Sequence, residues 1–124
     1  MARIVIADNA SFMRSCLKYI VENAGHEVVG MAKGGQEAVD LYGKLLPDLV
    51  TLDILMEGMD GITALRSIMK EHPQAKAIMV SALGQDQIQE EARKIGCSGY
   101  IRKPFKPDEI VLEVNRVLGS ASPA

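Results

Sequence analysis

Leu49-Val50-Thr51-Leu52-Asp53 is an apolar run that ends in an acid, and three other runs give that acid a context. Arg3-Ile4-Val5-Ile6-Ala7 is followed by Asp8-Asn9, Ala77-Ile78-Met79-Val80 by Ser81-Ala82, and Gly99-Tyr100-Ile101-Arg102 by Lys103-Pro104. A carboxylate that closes an apolar strand needs a partner to offset its desolvation. Between the runs lie segments with apolar residues at helical spacing, the pattern of a parallel sheet with crossover helices. Parallel strands share one carboxyl edge, where open α/β sheets bind ligands. Asp8, Asp53, Ser81 and Lys103 are therefore expected in one crevice. Such a set suits a carboxylate that is phosphorylated with help from a divalent cation: oxygens for the metal, a hydroxyl and an ammonium for the phosphoryl oxygens.

The spacing predicts a helix from Ser11 to Ala24 with Phe12, Cys16, Leu17, Ile20, Val21 and Ala24 near its inner face, stopped by Gly25. A strand from His26 to Ala32 follows. Gly34-Gly35 opens a helix to about Leu46 with Ala38, Leu41, Tyr42 and Leu45 inward, closed by Pro47. The central strand is Asp48 to Asp53. After the loop Met56-Glu57-Gly58-Met59-Asp60-Gly61 comes a helix carrying Leu65, Ile68 and Met69, which ends before His72-Pro73. The fourth strand runs from Lys76 to Ser81. Asp86 to Ile95 reads as a polar helix with only Ile88, Ala92 and Ile95 inward, a stripe sparse enough to predict loose packing. Pro107, with Asp108 and Glu109 in the first turn, starts a last helix whose inner face is Ile110, Val111, Val114, Val117 and Leu118. The expected organisation is one domain over residues 1–119 and a short flexible tail over residues 120–124.

At 124 residues and 48% hydrophobic, the chain has material for one core. A net charge of −2 offers no broad basic field, so nucleic acid is not an expected direct partner. Cys16 and Cys97 show no metal-ligand spacing and make no disulfide framework, which reads as reduced thiols in the cytoplasm. No apolar run reaches membrane-spanning length and the N-terminus lacks the succession of a signal peptide. Gly34-Gly35 has no Rossmann or P-loop pattern around it.

At this point the residues carry a resemblance. Ile6-Ala7-Asp8-Asn9-Ala10-Ser11-Phe12-Met13-Arg14, Asp48-Leu49-Val50-Thr51-Leu52-Asp53-Ile54, Met59-Asp60-Gly61, Ser81-Ala82 and Lys103-Pro104-Phe105, in this order and at these separations, resemble response-regulator receiver domains. The likeness spans Ile4 to Leu118 and is strongest to the stand-alone chemotaxis members. It implies a doubly wound, five-stranded parallel sheet of the flavodoxin-like class. It also implies that Asp53 accepts a phosphoryl group from a sensor histidine kinase, and that the signal passes to a downstream protein such as a flagellar motor switch component. Magnesium would be held by Asp8, Asp53 and the backbone carbonyl of Leu55. Ser81 would donate to a phosphoryl oxygen, Lys103 would pair with the phosphoryl group, and Ser81 and Tyr100 would form the switch. A cis Lys103-Pro104 bond and a monomer are further implications.

The chain departs from the family at two places. Asn9 stands where a second acid normally ligates magnesium, so it is a weakened ligand: its amide oxygen brings no charge. Glu57 stands where a proline is usual, either as a solvated loop acid or as a group near the metal. Both departures keep a second reading open, a pseudo-receiver that binds partners without phosphorylation. Single residues have plainer readings too: Asp8 as a helix-capping acid, Ser81 as a turn hydroxyl, Tyr100 as a core residue with its hydroxyl in water.

Overall fold

The computed structural model describes residues 1–119, so the expected tail over 120–124 lies outside the described residues. The elements alternate: β1 (Arg3–Ala7), α1 (Ser11–Asn23), β2 (Glu27–Ala32), α2 (Gly35–Leu45), β3 (Leu49–Leu52), α3 (Gly61–Glu71), β4 (Ala77–Ser81), α4 (Asp86–Ile95), β5 (Gly99–Arg102) and α5 (Pro107–Gly119). All strand pairs are parallel and the sheet order is β2-β1-β3-β4-β5, the doubly wound arrangement expected from the sequence.

Helices cover both faces of this sheet, which is why its strands read as continuous apolar runs. Along β1, successive residues enter opposite cores: Val5 and Ala7 join one cluster, Ile4 and Ile6 the other. The first cluster packs Ala38 and Tyr42 of α2, Ala64, Leu65 and Ile68 of α3 and Ala92 of α4; the second packs Leu17, Ile20 and Val21 of α1 with Ile110, Val114 and Val117 of α5. Ala92 is the one fully buried residue of α4, with Ile88 and Ile95 partly buried beside it.

The sequence reading misplaces two side chains of α1. Phe12 is 79% exposed; five residues before buried Leu17, it lies about 140° round the helix and faces out. Ala24 is the exposed C-cap of α1 and contributes no inner face. Gly119 is the last residue of α5.

The loop after β3 turns back so closely that it has no room for side chains at its base. Gly61 donates its N–H to the Ile54 carbonyl at 2.8 Å, and a Cβ there would fall 2.0 Å from the Asp53 carbonyl oxygen. Asp60 before it caps α3 by accepting from the Thr63 N–H. Gly61→Ala is therefore expected to destabilise the fold by about 1–3 kcal/mol. Gly43→Ala in α2, where an added methyl meets nothing within 4 Å, is expected to stabilise it by up to about 1 kcal/mol. Urea midpoints should move in opposite directions; movement in one direction would contradict the close approach at Gly61.

Candidate functional site

Parallel register carries the chemistry-bearing residues to one edge. Ala7 is level with Leu52, so Asp8 and Asp53 leave adjacent strands side by side. The ladder continues one step past both ends, with the Asp53 N–H on the Ala7 carbonyl at 3.0 Å and the Lys103 N–H on the Ser81 carbonyl at 2.9 Å. Asp8, Asp53 and Ser81 are 1%, 6% and 0% exposed. The sequence thus brings all four expected groups together, and the Lys103-Pro104 bond is cis.

Lys103 joins the two acids. Its Nζ donates to Asp8 Oδ2 at 2.7 Å and to Asp53 Oδ2 at 2.9 Å. Burial alone lowers the ammonium's pKa, but hydrogen bonds to Asp8 and Asp53, and then their charges, outweigh it and raise the value above that of an ordinary lysine. A raised lysine pKa contributes stability that is present in full below the unfolded value, about 10.4, and is lost as pH rises through the folded value. Lys103 is therefore charged throughout the neutral range.

The two acids are not equally committed. Asp8 is held at every polar atom: its N–H donates to the Ala32 carbonyl, its own carbonyl accepts from Arg14 Nη1 at 2.7 Å, Oδ1 accepts from the Ala10 N–H, and Oδ2 faces Lys103. Asp53 Oδ1 has one long contact, from the Leu55 N–H at 3.4 Å. That oxygen is the more available nucleophile.

On the other side of the crevice, Ser81 Oγ accepts from the Leu83 N–H at 3.2 Å, which leaves its own proton for another acceptor. The Leu83 carbonyl accepts from the Tyr100 hydroxyl, and the Gly84 carbonyl accepts from Gln89 Nε2 of α4. Tyr100 thus turns inward onto the β4–α4 loop, in place of leaving its hydroxyl in water. Burial foremost raises its pKa, with Cys97 and Asp53 adding to the effect and Arg102 opposing it, so the phenol is a donor at neutral pH.

Glu57 is exposed, and its backbone bridges to Gly34. Gly35 donates its N–H to the Met59 carbonyl at 3.1 Å, and a Cβ there would lie 2.2 Å from that oxygen. Gly34-Gly35 therefore exists to let the active-edge loop pack against the start of α2, a role that sequence reading missed. Asn9 and Leu55 are exposed at the mouth. Among the described residues no group of three or more His, Cys, Asp or Glu could hold a metal. Two buried carboxylates and a neighbouring amide nonetheless form the hard oxygen set that magnesium prefers.

Known proteins resemble the chain in the same terms. The sequence profile of the response regulator receiver domain matches residues 4–115. The chemotaxis protein CheY of Thermotoga maritima is 49% identical over 115 residues, covering 93% of this chain and 96% of that protein. CheY of Bacillus subtilis is 45% identical over 116 residues, covering 94% and 97%. A chain in the crystal structure of the CheX-CheY-BeF3-Mg+2 complex from Borrelia burgdorferi superposes with a TM-score of 0.91 at 35% identity, covering 93% of this chain and 87% of that one. The chain belongs to the response regulator receiver domain family.

Proposed function

We propose that the protein works as a single-domain response regulator of CheY type, taking a phosphoryl group onto Asp53 from a phosphohistidine of a sensor histidine kinase. The observation that carries this reading is the ammonium of Lys103 set between Asp8 and Asp53, with the Ser81 hydroxyl on the same sheet edge. Asp53 Oδ1 attacks phosphorus as the bond to the kinase imidazole breaks. Lys103 and Ser81 stabilise the charge that moves onto the phosphoryl oxygens. Asp8, Asp53, the Leu55 carbonyl and the Asn9 amide would hold magnesium, which supplies further charge neutralisation when bound. The protein catalyses its own modification only and processes no separate substrate.

The product signals through shape. A phosphoryl group adds about −1.5 to −2 charge beside Lys103 and Ser81. A pull on Ser81 is felt by Leu83, whose N–H donates to Ser81 Oγ and whose carbonyl accepts from the Tyr100 hydroxyl. Gln89 links the same loop to α4, and α4 has a single fully buried residue. The face made by α4, β5 and α5 is thus the surface for a downstream protein, such as a flagellar motor switch component. No helix among the described residues is long and apolar enough to cross a membrane, and we place the protein in the cytoplasm as a monomer that contacts no nucleic acid. The pseudo-receiver reading draws no support from Asn9 or Glu57: with both in place Lys103 bridges Asp8 and Asp53, and Ser81 ends β4 on the same sheet edge.

Intact mass after incubation with a small phosphodonor and magnesium is expected to show one phosphoryl group on wild type and none on Asp53→Asn. Unmodified wild type at saturating donor and magnesium would favour the pseudo-receiver.

The lifetime of the acyl phosphate follows from two leucines. Leu55 lies at the mouth two residues after Asp53, and Leu83 is half-buried two residues after Ser81. Neither side chain can hydrogen-bond an attacking water, so positioning catalysis of hydrolysis is lost. Slow intrinsic dephosphorylation is expected, accelerated severalfold in Leu55→Asn with Leu83→Glu. A phosphate-release time course at saturating magnesium checks it; equal decay of both proteins would refute the shielding.

A further inference from the structure

Arg14 is out of place for its helix. It lies near the start of α1, whose cap residue Ala10 makes no side-chain cap bond and whose first turn carries no acid. The positive end of the helix dipole disfavours a cation there. Its guanidinium instead reaches back six residues and donates from Nη1 to the Asp8 carbonyl at 2.7 Å, in a partly buried contact. That carbonyl belongs to the Asp8–Asn9 peptide. Because a peptide is planar, gripping its oxygen also fixes the direction in which the chain enters Asn9.

This matters because of what Asn9 is. A carboxylate attracts a cation over a distance, and an amide oxygen must be correctly pointed to help at all. The Asp8 side chain is already fixed by Ala10 and Lys103, so the geometry that remains to be set at this turn is that of exposed Asn9. We propose that Arg14 is a positioning residue that, through the Asp8–Asn9 peptide, holds the Asn9 amide oxygen toward the acid crevice and thereby supports magnesium binding. The proposal rests on the magnesium reading given above.

Charge and position have opposite signs here, which makes the idea testable. If Arg14 acted only as a nearby positive charge, its removal would tighten magnesium binding. A positioning role demands the reverse. Calorimetric magnesium titration of the full chain is expected to show Arg14→Met about tenfold weaker than wild type, the scale typical of residues that orient metal ligands. In an Asn9→Ala background the same substitution should change affinity by less than about twofold, since the effect travels through Asn9. Arg14→Gln, too short to reach the carbonyl, should behave alike and carries the test should Arg14→Met not fold. Thermal midpoints without magnesium report the structural share of the contact and should move equally in both backgrounds. Unchanged or tighter binding in the Arg14 variants, or equal weakening in both backgrounds, overturns the proposal while leaving the magnesium reading intact. Absence of magnesium binding in both wild type and Asn9→Asp would overturn the magnesium reading and this proposal with it.

Discussion

Lys103 Nζ lies within hydrogen-bond distance of two carboxylates that are almost wholly out of water. Two like charges at about 4 Å repel by roughly 4 kcal/mol at an effective dielectric near 20, and each acid also loses hydration. One shared ammonium offsets both terms. Removing one partner from such a buried set typically costs about 3–5 kcal/mol. The strand ends depend on it: β1 delivers one acid, β3 the other, and the turn after β5 the cation. The contact that steadies the resting molecule is also the one that a phosphoryl group on Asp53, as proposed, would redistribute, because the new anion would compete for the same ammonium.

In the proposed switch, the β4–α4 loop is the part that would carry that redistribution outward. Its Leu83 N–H is held by Ser81, its Leu83 carbonyl by Tyr100, and its Gly84 carbonyl by Gln89 of α4. A Cβ on Gly84 would meet the Arg102 side chain at 2.1 Å, so the loop also lies directly beneath a residue of β5. Few atoms separate the crevice from α4 and β5, two elements of the proposed signalling face. Weak core attachment of α4 means that small differences in binding energy suffice to shift it.

Element type and order were legible because the fold is written in burial. Two-sided cores make each strand a short apolar run, and one-sided helices show their inner stripes, so β5 and α4 appear in the sequence with the bounds they have in the molecule. The crevice was legible because strand-end residues inherit their meeting point from parallel register. What sequence could not supply was contact made by backbone. Gly34-Gly35 reads as a helix start and is one, but its second role is invisible in the sequence because its partners are the carbonyls of Glu57 and Met59, which have no side-chain signature. Phe12 lies at i−4 from half-buried Cys16, a spacing that suggests a shared face, but it sits about 140° from buried Leu17 and faces out. The Tyr100 hydroxyl and the Arg14 guanidinium also find carbonyls, and an acceptor that every residue possesses leaves no trace in composition.

The departure at Asn9 has a physical logic in this setting. Asp8 and Asp53 with Lys103 leave the crevice one net negative charge; a third acid would leave two. In the resting molecule the lower charge leaves less repulsion for Lys103 to offset. The same economy transfers work from charge to geometry. A site with a full set of acids attracts magnesium from many approaches, whereas an amide contributes only along its oxygen lone pairs. Accuracy at the Asp8–Asn9 turn therefore becomes more important here than in a fully acidic site, and Arg14, on the carbonyl of that turn, is placed where such accuracy is set.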